Sequence, residues 1–314
     1  MRAIAVSSYG ADPQVMDLPM PEPAPDEVVV RLHAASYNSF DLMVADGDMK
    51  DTVPASFPMI LGSDGAGVVD AVGSDVTAFA PGDRVYGVFL HAARGLGSYA
   101  EYGVARQSGP IAAMPRGMIF EQAAAVPLAT LAAYDMVRSG MVDEDQTVLV
   151  VGATGGVGQA AVQLAALQGA RVIATARPGA DGLVKELGAT ETVDYSARPV
   201  PDQVLAISPG GVDAILDVVT PPDGVNALAG LLRPGGVYVS TIGSLDPRAL
   251  AAREIRGVNL VGSHHARDLA ALADMIDAGN LRVNIEAQVS MDEAPAMLRQ
   301  VAKGGARGKY VIRL

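Results

Sequence analysis

The chain has 314 residues, a formal net charge of −12 and no cysteine, and its length suffices for two domains of ordinary size. The acidic balance argues against nucleic acid or an anionic membrane as a partner, since both call for a surplus of Lys and Arg. The missing thiols exclude disulfides, thiolate catalysis and zinc sites built on sulfur. Nothing points to secretion, and the opening MRAIAVSSYG holds no apolar run of signal-peptide length, so a cytoplasmic protein is expected. Trp is absent and Ala and Gly supply much of the apolar content, so small side chains must fill the core.

From Met1 to Glu121 short alternating runs such as EVVVRLHAA, AGVVDAVG and GDRVYGVFL are divided by turn signals, which predicts an antiparallel, barrel-like β-domain. PMPEPAPDE reads as an extended connector, because each Pro fixes φ and pushes the preceding residue away from helix. From residue 122 to 265 the pattern changes. EQAAAVPLATLAAYDMV is helical, and TVLVVG, RVIATA, TVDY, DAILDVV, GVYVSTIG and NLVGS are predicted strands of a parallel sheet with crossovers between them. RDLAALADMIDAGN, residues 267–280, is a further helix ending at Gly279. Gln146 to Ala170 carries no charge and is long enough to span a bilayer, but Gly152, Gly155, Gly156 and Gly158 interrupt any continuous helix there, so no membrane span is expected. The fold class is α/β: a β-barrel-type domain joined to a doubly wound parallel sheet.

VLVVGATGGVGQ runs a strand into a glycine cluster, and the small-residue helix AAVQLAALQGA follows. This order lets a pyrophosphate rest on exposed amides at a helix N-terminus. Gly152, Gly155 and Gly158 stand three apart with Gly156 added, so the strict GxGxxG spacing is not met. Thr154, Gly155, Gly156, Val157 and Gly158 are the expected cofactor-binding residues of this turn. An NAD site places an acid about 20 residues beyond the motif to hold the ribose 2′-hydroxyl. Here no acid lies between Asp145 and Asp181, and Thr175 and Arg177 occupy the expected place. A guanidinium there meets a 2′-phosphate, so NADPH is favoured over NADH. Tyr195, at the end of the next strand, is a second residue expected near the adenosine.

Several stretches together resemble the zinc-independent medium-chain dehydrogenase/reductases, in the quinone oxidoreductase or ζ-crystallin-like branch. They are AASYNSFDLMVADG, PMILGSDGAGVVDAVGSDVTAFAPGDRVYG, GSYAEY, EQAAAVPLATLAAY, GATGGVGQAAVQLA, LLRPGGVYV and ARGKYVIRL. The resemblance implies a GroES-like catalytic domain at 1–121, completed by 266–314, and a Rossmann domain at 122–265, with the active site in the cleft between. It places Asn38 near the nicotinamide ribose, as a catalytic and cofactor-binding residue. Tyr37 is beside it and is a candidate donor of a phenolic hydrogen bond to the acceptor. Asp41 and Asp64 are read as partners that order the structure. His264 and His265 fall where the family lines the nicotinamide end, with His264 the candidate proton donor. Thr241 is expected at the cofactor, and Arg307 and Lys309 are expected to add charge to its cleft.

In zinc-dependent relatives a cysteine stands where Asn38 lies and a His-Glu pair where Ser63 and Asp64 lie, so no metal is expected. The implied reaction is hydride transfer from NADPH to a quinone or an α,β-unsaturated carbonyl. A dedicated biosynthetic or enoyl-thioester reductase and a non-catalytic NADPH sensor are the alternatives. Asp48 and Met49 follow Gly47, where the enoyl-thioester branch keeps a tyrosine, which weakens the thioester alternative. NLVGS, as an edge strand, invites pairing with a second copy, so a homodimer is expected.

Overall fold

A computed structural model describes residues 1–260, 262, 265–303 and 308–314. The chain divides into two compact units: Met1–Ala129 with His264–Gly279 and Val283–Leu314, and Thr130–Ser263 with Asn280–Arg282.

The first unit opens with β1 (Arg2–Val6), β2 (Gln14–Asp17), β3 (Glu27–Ser36), α1 (Ser39–Asp46), β4 (Met59–Ile60), β5 (Asp64–Val72), β6 (Arg84–Val88), β7 (Tyr102–Arg106), β8 (Ile111–Ala113) and α2 (Phe120–Ala124). Strands β2, β1 and β4 form a small antiparallel sheet. In the larger sheet β3 pairs with β5 and β7, and its near-continuous burial follows from having neighbours on both sides and a covered surface. The helical stretch predicted from residue 121 is two helices, because Pro127 lacks an amide hydrogen and begins a new helix, α3 (Pro127–Ser139).

In the second unit come β9 (Thr147–Val151), α4 (Gly156–Leu167), β10 (Arg171–Thr175), α5 (Asp181–Glu186), β11 (Glu191–Val193), α6 (Val200–Ile207), β12 (Val212–Asp217), α7 (Pro222–Ala229), β13 (Leu232–Ser240), α8 (Pro247–Ala251) and β14 (Arg256–Asn259). All six strands are parallel, in the order β11-β10-β9-β12-β13-β14. Every residue of β9 is buried, as a central strand between two helical layers requires. The chain order reverses between β9 and β12, and in open sheets of this kind ligands bind beyond the strand ends at that point. One strand differs from expectation. NLVGS was to supply the last strand, but Arg256–Asn259 pairs with Val237–Ser240, so the apolar run begins where the strand stops.

The chain then returns to the first unit as α9 (Ala266–Asp277), β15 (Ile285–Ser290), α10 (Ala294–Val301) and β16 (Lys309–Arg313). Gly279 follows the end of α9 at φ +76°, the left-handed value that favours glycine. Strand β16 pairs antiparallel with the end of β3, setting Val311 opposite Ser36. That pairing brings Lys309 beside residues 36–38. Among the described residues no helix is long and apolar enough to cross a membrane.

Candidate active site

In the first unit a buried polar cluster forms where β3 ends, β5 begins and β16 begins. Asp64 is fully buried and accepts four hydrogen bonds: from Ser36 Oγ at 3.2 Å, Asn38 Nδ2 at 2.9 Å, Lys309 Nζ at 3.3 Å and the Leu128 backbone amide at 2.9 Å. Lys309 is 4% exposed and also donates to Asn38 Oδ1 at 2.6 Å and to the Tyr37 carbonyl at 2.9 Å. An ammonium has three donors, and three acceptors of the protein take them. The structure therefore gives Lys309 a task other than the one expected of it: its charge is turned onto Asn38 and Asp64, with no donor left over for a cofactor.

Asn38 precedes α1, and its backbone amide donates to Asp41 Oδ2 at 2.9 Å while its side chain makes no cap bond, being held by Lys309 and Asp64. Asp41 takes two more bonds, from Ser63 Oγ at 2.6 Å and Tyr99 OH at 2.8 Å. Burial pushes the Asp41 carboxyl up to about 6, with Asp64 adding to the rise and the bonds from Ser63, Asn38 and Tyr99 opposing it. Tyr37 is half-buried, and its phenol is pushed up to about 12 by burial and then by Asp41. It is a protonated donor at neutral pH. His264 and Arg307 lie outside the described residues.

The second unit holds the glycine turn. Gly152 sits at φ +84°, and a Cβ there would fall 2.6 Å from Val218 Cγ2. A Cβ on Gly158 would lie 2.1 Å from the Gly152 carbonyl oxygen, so the helix can approach the strand only with glycine. Gly155 caps α4 without a side-chain bond, and the first helical donor to find an acceptor in that turn is the Gln159 amide, on Gly155 O at 2.9 Å. Among the described residues the amides of Gly156, Val157 and Gly158 are thus the unpaired donors of a helix start, half-charged in sum and suited to a pyrophosphate. Gln159 shapes the turn further by donating to the Thr154 carbonyl at 2.8 Å.

Thr175 lies buried at the end of β10, and its Oγ1 accepts the Gly152 amide at 2.9 Å, so its hydroxyl steadies the turn. Arg177 is two residues beyond β10, and among the described residues its guanidinium has no acceptor. Tyr195 follows β11, Val219 follows β12 and Ile242 follows β13, and all three expose apolar surface at the carboxyl ends of the strands. Thr241 is half-buried, and its amide donates to the Asp217 carbonyl at 3.2 Å. Asp217, fully buried, holds this rim: it accepts from Tyr238 OH at 2.6 Å and from the Val219 and Thr220 amides at 3.0 Å. Sequence reasoning missed Val219, Ile242 and Asp217, because exposure of an apolar residue after a strand has no local signature. It read Asp64 as a partner only, and the hub role appeared with the fold.

Residues 24–116 match the family described as alcohol dehydrogenase GroES-like domain, and residues 187–312 that described as zinc-binding dehydrogenase. The chain is 31% identical to quinone-oxidoreductase QR1, chloroplastic, of Triphysaria versicolor, covering 99% of this chain and 98% of that protein. The chain belongs to the quinone oxidoreductase branch of the medium-chain dehydrogenase/reductases. It is a nicotinamide-dependent oxidoreductase with a GroES-like domain and a Rossmann-like parallel sheet. The solved quinone oxidoreductase of Coxiella burnetii is similar over 100% of this chain and 99% of its own, with a TM-score of 0.89 and 29% identity. The Spectinabilin polyketide synthase system protein NorB of Streptomyces orinoci is 36% identical over 99% of this chain, which spans 14% of that much longer protein. Among the described residues the unpaired amides of α4 and the Asn38 cluster are two candidate sets with chemistry to offer an oxidoreductase of this family.

Proposed function

We propose that the protein is an NADPH-dependent reductase that delivers a hydride to a quinone or an α,β-unsaturated carbonyl without zinc. One observation carries the cofactor choice: among the described residues three amides at the start of α4 are unpaired and Arg177 after β10 has no partner, and the chain has no carboxylate from β10 up to Asp181. The amides of Gly156, Val157 and Gly158 would hold the pyrophosphate, Arg177 the 2′-phosphate, and Tyr195 a face of the adenosine. When bound, the cofactor supplies a hydride from its nicotinamide C4. Asn38 donates through Nδ2 to the cofactor, and Tyr37 offers its phenolic hydrogen to the acceptor oxygen as negative charge grows there.

The residues around Asp64 do not fit zinc. Ser63 and Asp64 bring one carboxylate, already bonded to an ammonium, and among the described residues no group of three or more His, Asp or Glu side chains converges. A Lewis-acid step is therefore given no part in this reading. The edge of β14 is proposed to pair with a second copy, giving a homodimer.

The likeness to a polyketide synthase protein favours a second reading, reduction of a dedicated biosynthetic intermediate. The deciding experiment is anaerobic NADPH consumption against ortho-quinones, para-quinones, medium-chain enones and an enoyl thioester, with NADH in parallel. Turnover of quinones or free enones with NADPH supports the first reading, and turnover of the thioester alone replaces it with the second. Faster consumption of NADH than of NADPH removes the role of Arg177.

A further inference from the structure

The carboxamide of Asn38 lies between two opposite charges. Its Oδ1 faces the Lys309 ammonium at 2.6 Å and its Nδ2 faces the Asp64 carboxylate at 2.9 Å. An amide has an acceptor end and a donor end, and a half-turn about its last single bond exchanges them. Here the exchange would set N–H against a cation that can only donate, and oxygen against a carboxylate that can only accept. Both contacts would turn repulsive in a setting where the two ionic side chains are 5% and 0% exposed. One orientation survives.

In that orientation Nδ2 has two hydrogens and spends one on Asp64; among the described residues the other has no acceptor. Asp64 is itself held from four sides, by Ser36, Asn38, Lys309 and the Leu128 amide, so the partner that fixes the amide is fixed in turn. A lone asparagine on a helix-leading loop samples both orientations and caps its own helix. This one does neither.

The geometry points to Lys309 and Asp64 as a positioning pair, which locks the Asn38 carboxamide so that its free Nδ2 hydrogen is kept for an oxygen of the bound cofactor. This inference rests on the proposed contact of Asn38 with the cofactor. It explains why a lysine and an aspartate so far apart in sequence are buried at the cost of their hydration: each charge is satisfied, and among the described residues one neutral donor of the cluster is left without an acceptor. In this role the effect of Lys309 and Asp64 passes through Asn38, which both of them bond.

The test is a cycle of variants in the whole protein: Asn38→Ala, the charge-free pair Asp64→Asn with Lys309→Met, and all three together. NADPH Kd is read by fluorescence and kcat/KM by NADPH consumption. Removing both charges at once avoids stranding either in the interior. Asn38→Ala and the charge-free pair should each weaken NADPH use by on the order of tenfold, and the triple variant should lose no more than Asn38→Ala alone. A merely structural pair would instead add its loss to that of Asn38→Ala, and multiplying losses overturn the positioning role while leaving the Asn38 contact intact. Asn38→Ala with unchanged Kd and kcat/KM overturns the contact, and the positioning role with it. If the charge-free pair shows no melting transition, Lys309→Arg decides: a cation retained against Oδ1 should keep NADPH use within about threefold. A loss in folded Lys309→Arg as deep as that of Asn38→Ala overturns the inference.

Discussion

The two units treat their polar groups in opposite ways. In the first, Asp41 and Asp64 between them accept seven hydrogen bonds from groups inside the same unit. Among the described residues the second leaves amides unpaired at the start of α4 and a guanidinium unpartnered after β10. Buried charges without partners cost several kcal/mol, so the first unit must satisfy them internally. Amides at the partly exposed start of α4 cost less than a buried charge while water reaches them, so the second unit can keep them ready for an anion. The lesson is that the closed cluster bears on stability and orientation, whereas the open turn bears on ligand affinity.

Substitutions should separate the two. Lys309→Met strands the Asp64 carboxylate in the interior and should destabilise the protein by about 3 to 5 kcal/mol, measured by denaturant unfolding. A loss below about 1 kcal/mol would mean that the cluster is open to water. Gly158→Ala places a Cβ against the Gly152 carbonyl oxygen, which backbone cannot yield easily, and should cost on the order of 3 kcal/mol together with most NADPH affinity. Retained affinity in a folded Gly158→Ala protein would show that the turn does not need its close approach.

Asp41 offers a pH test with a definite sign. Its folded value, about 6, lies above the ordinary 3.8, so between these pH values the folded protein keeps a proton that the unfolded chain has released. Its stabilising share is complete below about 4 and is lost as pH rises through about 6. The stability difference between wild type and Asp41→Asn should therefore shift by about 2 kcal/mol against the wild type across that window, and then level off. A flat difference would place Asp41 at an ordinary value. The smallest effect is expected of Arg177→Ala: roughly tenfold weaker NADPH binding, with NADH almost unchanged. Equal loss for both cofactors would assign Arg177 to the fold and not to the phosphate.

The glycine turn was legible because its elements adjoin in the chain: a buried strand, glycines where a Cβ meets backbone, and a small-residue helix, within Thr147–Leu167. The absence of an acid between Asp145 and Asp181 and the presence of Arg177 were legible for the same reason. The last strand was misplaced by three residues because its polar Arg256 does not look like sheet, while the apolar Leu260 beyond it does. Helix α3 began anew at Pro127, a boundary that the proline itself announces.

Asn38 was singled out from its motif, and Lys309 from its charge, but nothing local joined them. They stand 271 positions apart, and Lys309 is 245 from Asp64. Only the pairing of β16 with β3 sets them in contact. The sequence by itself determined the class of fold, the parallel sheet and the anion-binding turn, because each follows from residues within one or two elements of each other. Tertiary structure alone decided that Lys309 serves Asn38, that Asp64 is a hub, and that one amide hydrogen stays unspent among the described residues, since hydrogen-bond partners are assigned by distance in space.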